Sequence, residues 1–217
     1  MVVQRRVAQV GEQGGGSVVR MRADPAGVPA IARMSGPSCR GGARYHGIAA
    51  LWHLRFVVQL ASDDVKDASC LADAIERELP GLVTSTGSGD WFLFYDPHGV
   101  TVPEKRFPFC TLVTGDRYDS ASRLDRDATT YRVNLGVDRP TCESLFGPAP
   151  RQPAGTEVID TKFDYTTTDT VMPHPYYAPL HWVCVVSPVQ RTRGRLASLL
   201  DRAHLLAKTR YDNRYQG

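Results

Sequence analysis

Residues 131–137 read YRVNLGV. Successive side chains of a strand point to opposite faces. Tyr131, Val133, Leu135 and Val137 therefore fall on one face, and Arg132 and Asn134 on the other. The segment predicts a strand with one apolar face and leaves one question. The face carrying Arg132 and Asn134 either lines a polar pocket or is the solvated outer face of an antiparallel sheet.

Working outward, WFLFY at 91–95 reads as a short strand apolar on both faces, and FCTLVT at 109–114 as another. His181–Ser187 is the last strong strand. DPHG at 96–99 has the residue order of a type I turn, with Asp first, Pro second and Gly fourth. Ala68, Leu71, Ala72, Ile75 and Leu79 recur at helical spacing. Ser62, Asp63 or Asp64 suits the N-cap of that helix, and Pro80-Gly81 stops it. Thr141–Phe146 predicts a short helix closed by Gly147, and 148–162 a polar loop. Leu196, Leu199, Leu200, Ala203 and Leu206 form the apolar stripe of a C-terminal helix. Strands gathered between terminal helices predict an α+β fold, a mainly antiparallel sheet covered by N- and C-terminal helices.

Residues 1–46 differ in kind. GEQGGGS and SGPSCRGGAR are rich in Gly, Ser and Arg and show no apolar period. They are expected to be a disordered extension or a leader read as protein, in preference to a flexible basic arm that touches anionic partners, and dispensable for folding. Residues 47–61 fit a helix or a strand equally, and 62–217 form the single domain. Residues 1–60 carry eight Arg against Glu12 and Asp24, a net charge of +6, whereas 61–217 sum to −3. A nucleic-acid footprint is therefore not favoured and, where present, is local. Arg outnumbers Lys 22 to 4, a bias that coding in a G+C-rich genome explains as readily as anion binding. The five cysteines are widely spaced with no CxxC, which argues against a disulfide framework and a zinc knuckle. Reduced thiols in a cytoplasmic protein are the simplest reading. No run reaches the roughly 18–20 apolar residues that span a bilayer, so no membrane association is expected.

The chain has no GxSxG, P-loop or HExxH motif, and no cofactor is expected. Cys184 and His181 are three apart on a strand, which puts them on opposite faces, so Cys184 reads as a small core residue. His98, His174 and His181 do not share a spacing that implies a metal, and none is expected. In MPHPYYAPLHWVCVVSP at 172–188, Pro173 and Pro175 fix the backbone around His174. That stiffness serves either a rigidly presented titratable ring or a plain connector into the last strand.

FYDPHG at 94–99, RFPFCTLVT at 106–114, SRLDR at 122–126, YRVNLGV, ESLFG at 143–147 and MPHPYYAPLHWVCVVSP occur in one order. Together they resemble a bacterial family described as domain of unknown function 6194, over about residues 62–210. The fold is also similar in outline to MmcQ/YjbR-type proteins, for which nucleic-acid or partner binding is suggested. Against the 6194 family, the segment between Pro80 and Trp91 is shorter than usual, Thr170 stands in place of an expected arginine, and His181 in place of a smaller or polar residue. The resemblance implies no activity. It directs attention to Asp96, Arg106, Arg132, Asn134, His174 and Tyr177 as candidate ligand-binding residues. Two functions follow: a non-enzymatic module that binds a small molecule or a protein, or an enzyme acting on a small polar or anionic metabolite. In the second, His174 is the acid/base and Arg132 the anion anchor. The first has the stronger support because no paired acid and nucleophile stands out. On either reading MPHPYYAP is a rim presenting His174 and Tyr177 beside Arg132 and Asn134.

Overall fold

The YRVNLGV segment lies between two strands in the interior of a sheet. A computed structural model describes residues 67–101, 106–155 and 157–215, together with a strand at 19–21. In chain order the elements are β1 (Val19–Met21), α1 (Ala68–Glu78), β2 (Leu82–Gly87), β3 (Asp90–Tyr95), β4 (Cys110–Val113) and β5 (Arg132–Gly136). There follow α2 (Arg139–Phe146), β6 (Val171–Pro173), β7 (Trp182–Val186) and α3 (Gln190–Tyr215). One-turn 3-10 helices stand at Leu124–Arg126 and Ala178–Leu180. The strands form one sheet in the order β1-β2-β3-β4-β5-β7-β6, and every neighbouring pair is antiparallel. The fold is thus α+β, as the sequence predicts. Of the expected extension at 1–46 and the undecided stretch at 47–61, only Val19–Met21 fall among the described residues. They pair with Val83–Ser85 along the edge of β2.

Register decides which side chains share a face. Leu93, Cys110, Leu135 and Val183 stand opposite one another across β3, β4, β5 and β7, and so do Trp91, Leu112, Val133 and Val185. These rows meet Leu71 and Ile75 of α1 and Leu196, Leu199, Leu200 and Ala203 of α3 in the main core, to which α2 adds Cys142. The other face carries Thr111, Asn134, Cys184 and Met172 in one row and Val113, Arg132 and Val186 in the next. Irregular chain covers it: Leu124 and Tyr165 pack with Val113, Met172, Cys184 and Val186 in a second, smaller cluster. Arg132 and Asn134 are each only 2% exposed. The solvated-face alternative is therefore excluded, because loops supply the second layer that the strand alternation alone does not reveal.

Local chemistry sets the boundaries. The carboxylate of Asp67 accepts the Cys70 amide at 2.9 Å, so the cap of α1 is Asp67 rather than Ser62, Asp63 or Asp64, which lie outside the described residues. The β2–β3 hairpin closes on Ser88 and Gly89, with φ of 53° and 85°; positive φ at both central residues is the type I′ geometry that matches strand twist. The start of α3 borrows its cap from a distance. Asp169 accepts the amides of Val189, Arg191 and Thr192, satisfying donors that a helix start leaves open. β6 escapes sequence reading because it has three residues and contains Pro173, which only an edge strand tolerates. Leu206 is half-buried rather than buried, since it lies on the flank of the stripe set by Leu196, Leu200 and Ala203.

Leu135, 1% exposed at the middle of the sheet, tests this arrangement. Leu135→Ala is expected to lower unfolding free energy in urea by about 2–5 kcal/mol; a loss under about 1 kcal/mol would place its side chain outside the core.

Candidate functional site

On β5, Arg132 and Asn134 project together onto the loop-covered face. Arg132 grips Asp119 with both arms, Nη1 to Oδ1 at 3.0 Å and Nη2 to Oδ2 at 2.7 Å. Nη1 also donates to the Ser122 hydroxyl at 2.9 Å, and Nε donates to Asn134 Oδ1 at 2.9 Å. Asn134 passes its amide hydrogen on to Thr111 Oγ1 at 3.0 Å. Four of the five guanidinium donors are thus directed at groups of the protein itself. Burial on its own lowers the Arg132 pKa, but the bonds and charge of Asp119 outweigh it and the net shift is upward. The pair ties the 116–122 loop down across β4 and β5. Asp116 continues the tie by accepting the Leu124 amide at 2.7 Å, and Arg126 Nη1 reaches the Thr166 carbonyl at 2.9 Å.

His174 lies on the same sheet face. Its amide donates to the Trp182 carbonyl at 2.9 Å, extending the β6–β7 ladder by one residue. Gly136, opposite Trp182, leaves room for the indole: a Cβ there would stand 3.1 Å from Trp182 Cε2. Trp182 in turn meets the His174 ring edge-on, with centroids 6.3 Å apart, and Tyr177 packs on that ring at 4.9 Å. His174 is not on a rim, however. It is 3% exposed, and Nδ1 accepts the amides of Tyr176 and Tyr177 at 3.1 and 3.2 Å. Those bonds place the proton of the neutral ring on Nε2. Burial, joined by the charge of Arg132, pushes the His174 pKa well below its ordinary 6.5.

Asp96 and Arg106 form a separate cluster at the end of β3. Asp96 caps its turn, accepting the Val100 amide at 3.1 Å, and Arg106 Nη2 approaches it at 3.3 Å. No hydrogen bond or ion pair among the described residues joins this pair to the Arg132 network. The six candidates thus divide into an Arg132–Asn134–His174–Tyr177 face and a distinct Asp96–Arg106 turn. Sequence reading missed Asp119, Ser122 and Thr111, the partners that fix the role of the first group. They stand 10 to 23 residues from the side chains they bind, and no local spacing announces such a pairing.

A cleft of about 230 Å³ opens instead on the helix-covered face. Asp67, Ala68 and Ser69 at the start of α1, Trp91, Thr114 and residues 128–131 line it. Its hydroxyls share one arrangement: Ser69 donates to Asp67, Thr114 to Asp90, and Thr129 and Thr130 to Asp127. Thr114 and Thr130 also accept from Arg117 Nη2 and Arg126 Nε, each at 3.4 Å, so the hydroxyl oxygens of Ser69 and Thr129 are the more open acceptors. Burial pushes the Tyr131 phenol up to about 12. Asp67 is held below the ordinary carboxylate range, chiefly by the Cys70 amide. Among the described residues, no group of three or more His, Cys, Asp or Glu could hold a metal ion.

The His174 geometry carries its own test. His174→Ala strands two part-buried amides and is expected to cost about 1–3 kcal/mol, while His174→Asn, whose Oδ1 replaces Nδ1 as acceptor, recovers part of the loss. Because the folded pKa lies below the unfolded 6.5, the unfolded chain binds the proton first. Stability is therefore fully present above pH 6.5 and falls as pH drops below it. His174→Asn should flatten that fall in urea titrations repeated across pH, and an unchanged profile would place the ring in solvent.

A family model described as a family of unknown function (DUF6194) matches residues 66–216. No curated protein and no solved structure matches the chain.

Proposed function

The chain belongs to the DUF6194 family, and from that premise we propose that it is a non-enzymatic module that binds a small polar ligand in the cleft at the start of α1. The observation that carries this reading is the lining of the cleft, hydroxyls backed by carboxylates next to Trp91, and its titratable groups agree with it. Efficient proton transfer needs a group that titrates near the working pH. Tyr131, raised to about 12, and Asp67, lowered to cap a helix, both lie away from neutrality. What the cleft offers is recognition: hydroxyl lone pairs from Ser69 and Thr129, with the hydroxyls of Thr114 and Thr130 nearby, beside the ring of Trp91. Such a wall suits a ligand that donates hydrogen bonds, an amine or guanidine above all, since a cation also gains from an indole face.

On this reading Arg132, Asn134, His174 and Tyr177 hold the opposite face and do not touch the ligand. Arg132 has little left to offer an anionic metabolite, and His174 has given Nδ1 to the backbone, which also weighs against the histidine acid/base enzyme. Helices long and apolar enough to cross a membrane are absent among the described residues.

A thermal-shift screen of the full chain should include small amines, guanidines, carboxylates, nucleotides and divalent metals. A donor-bearing ligand at about 100 times its dissociation constant adds about 2.7 kcal/mol, a rise of several degrees. Trp91→Leu should abolish that rise. A rise only with carboxylates or phosphates, or one that survives Trp91→Leu, would contradict the reading.

A further inference from the structure

We propose that the outward face of α3 docks on the phosphate backbone of a nucleic-acid duplex. α3 carries seven Arg or Lys against two Asp, a net charge of +5, whereas residues 67–189 carry ten basic against seventeen acidic side chains, a net of −7. Within residues 67–215 the positive charge is therefore concentrated on one element. The buried side of α3 is fixed by Leu196, Leu200, Ala203 and Tyr211. At 3.6 residues per turn, Arg191, Arg195 and Arg202 fall on the opposite side within about 40° of one another, and they span about 16 Å of the axis. All three are exposed, and none forms an ion pair among the described residues. Asp138 feels the charge of Arg202 without pairing with it.

The chemistry of the row selects the partner. Protein interfaces draw most of their energy from a few buried anchors, often aromatic, and single-stranded nucleic acid is held on aromatic stacking platforms. Between and beyond these arginines stand Ser198, Leu205 and Thr209, with no aromatic side chain among them. A row of guanidinium forks on one helix face, about 6 and about 10.5 Å apart along the axis, instead suits the phosphates of a duplex backbone, which arginine binds bidentately. The acidic remainder of the domain turns the other faces away from the same polyanion, so the field orients the encounter.

The test follows anisotropy of a labelled mixed-sequence duplex of about 20 base pairs with the full chain, between about 50 and 200 mM salt. The variant Arg191→Gln/Arg195→Gln/Arg202→Gln should flatten the slope of log affinity against log salt by about 2.7, three phosphates at about 0.9 each. It should also weaken low-salt binding at least about tenfold. Each single change should flatten the slope by about 0.9, which keeps the test open should the triple variant be unstable. Arg123→Gln/Arg139→Gln/Arg151→Gln loses the same charge elsewhere and should leave both quantities unchanged. The proposal is overturned by no duplex binding at low salt, or by equal losses in the two triple variants. It is also overturned by an unaltered slope in the α3 variant, which would assign binding to the eight arginines of residues 1–60. Tighter binding to poly-glutamate or anionic vesicles than to the duplex would overturn it as well.

Discussion

An arginine on the inward face of an interior strand is the constraint around which the loop-covered side of this molecule is arranged. A buried guanidinium is costly unless paired and fully hydrogen-bonded. The chain meets that demand by folding 116–122 back across the sheet, so that Asp119 and Ser122 reach Arg132 while Asn134 and Thr111 complete the network. Once that loop is fixed, Leu124 can seal the second apolar cluster with Tyr165. The result is a sheet with helices on one face and tethered irregular chain on the other.

This arrangement decides where recognition is available. Polar residues that look free in the sequence are committed by the fold: Arg132 to a carboxylate, Asn134 to a hydroxyl, His174 to two amides, Asp96 to a turn. The groups left open lie elsewhere, in the hydroxyl-lined cleft beside Trp91 and in the arginine row of α3. Both belong to the helix-covered side, at the start of α1 and on the outward face of α3.

Much of the fold was legible because it is written in period. The alternation of 131–137 and the stripes of α1 and α3 each report one face, and each matches the packing found. β2 was not legible, since LVTSTG spends four of its six positions on Thr, Ser and Gly, whose strand character comes from pairing with β3. The site was harder to read for a different reason. Spacing placed Arg132 and Asn134 on one face and brought His174 near them, but burial depends on what the rest of the chain lays over that face. Asp119 is an ordinary surface aspartate in sequence and the counter-ion of a buried arginine in the fold. The rigidity that two prolines confer on His174 is real, yet it orients the ring inward as an acceptor.

The account rests on Arg132 being a structural clamp, and a double-mutant cycle on unfolding free energy measures that directly. Asp119→Ala alone should cost about 3–5 kcal/mol, because it leaves a buried charge unpaired. Replacing both partners, Arg132→Met with Asp119→Leu, should recover most of that loss, since apolar groups of similar volume substitute well for a buried pair. An Asp119→Ala cost below about 1 kcal/mol, the range of an exposed ion pair, would show the guanidinium to be solvated and free for a ligand, and would contradict the account.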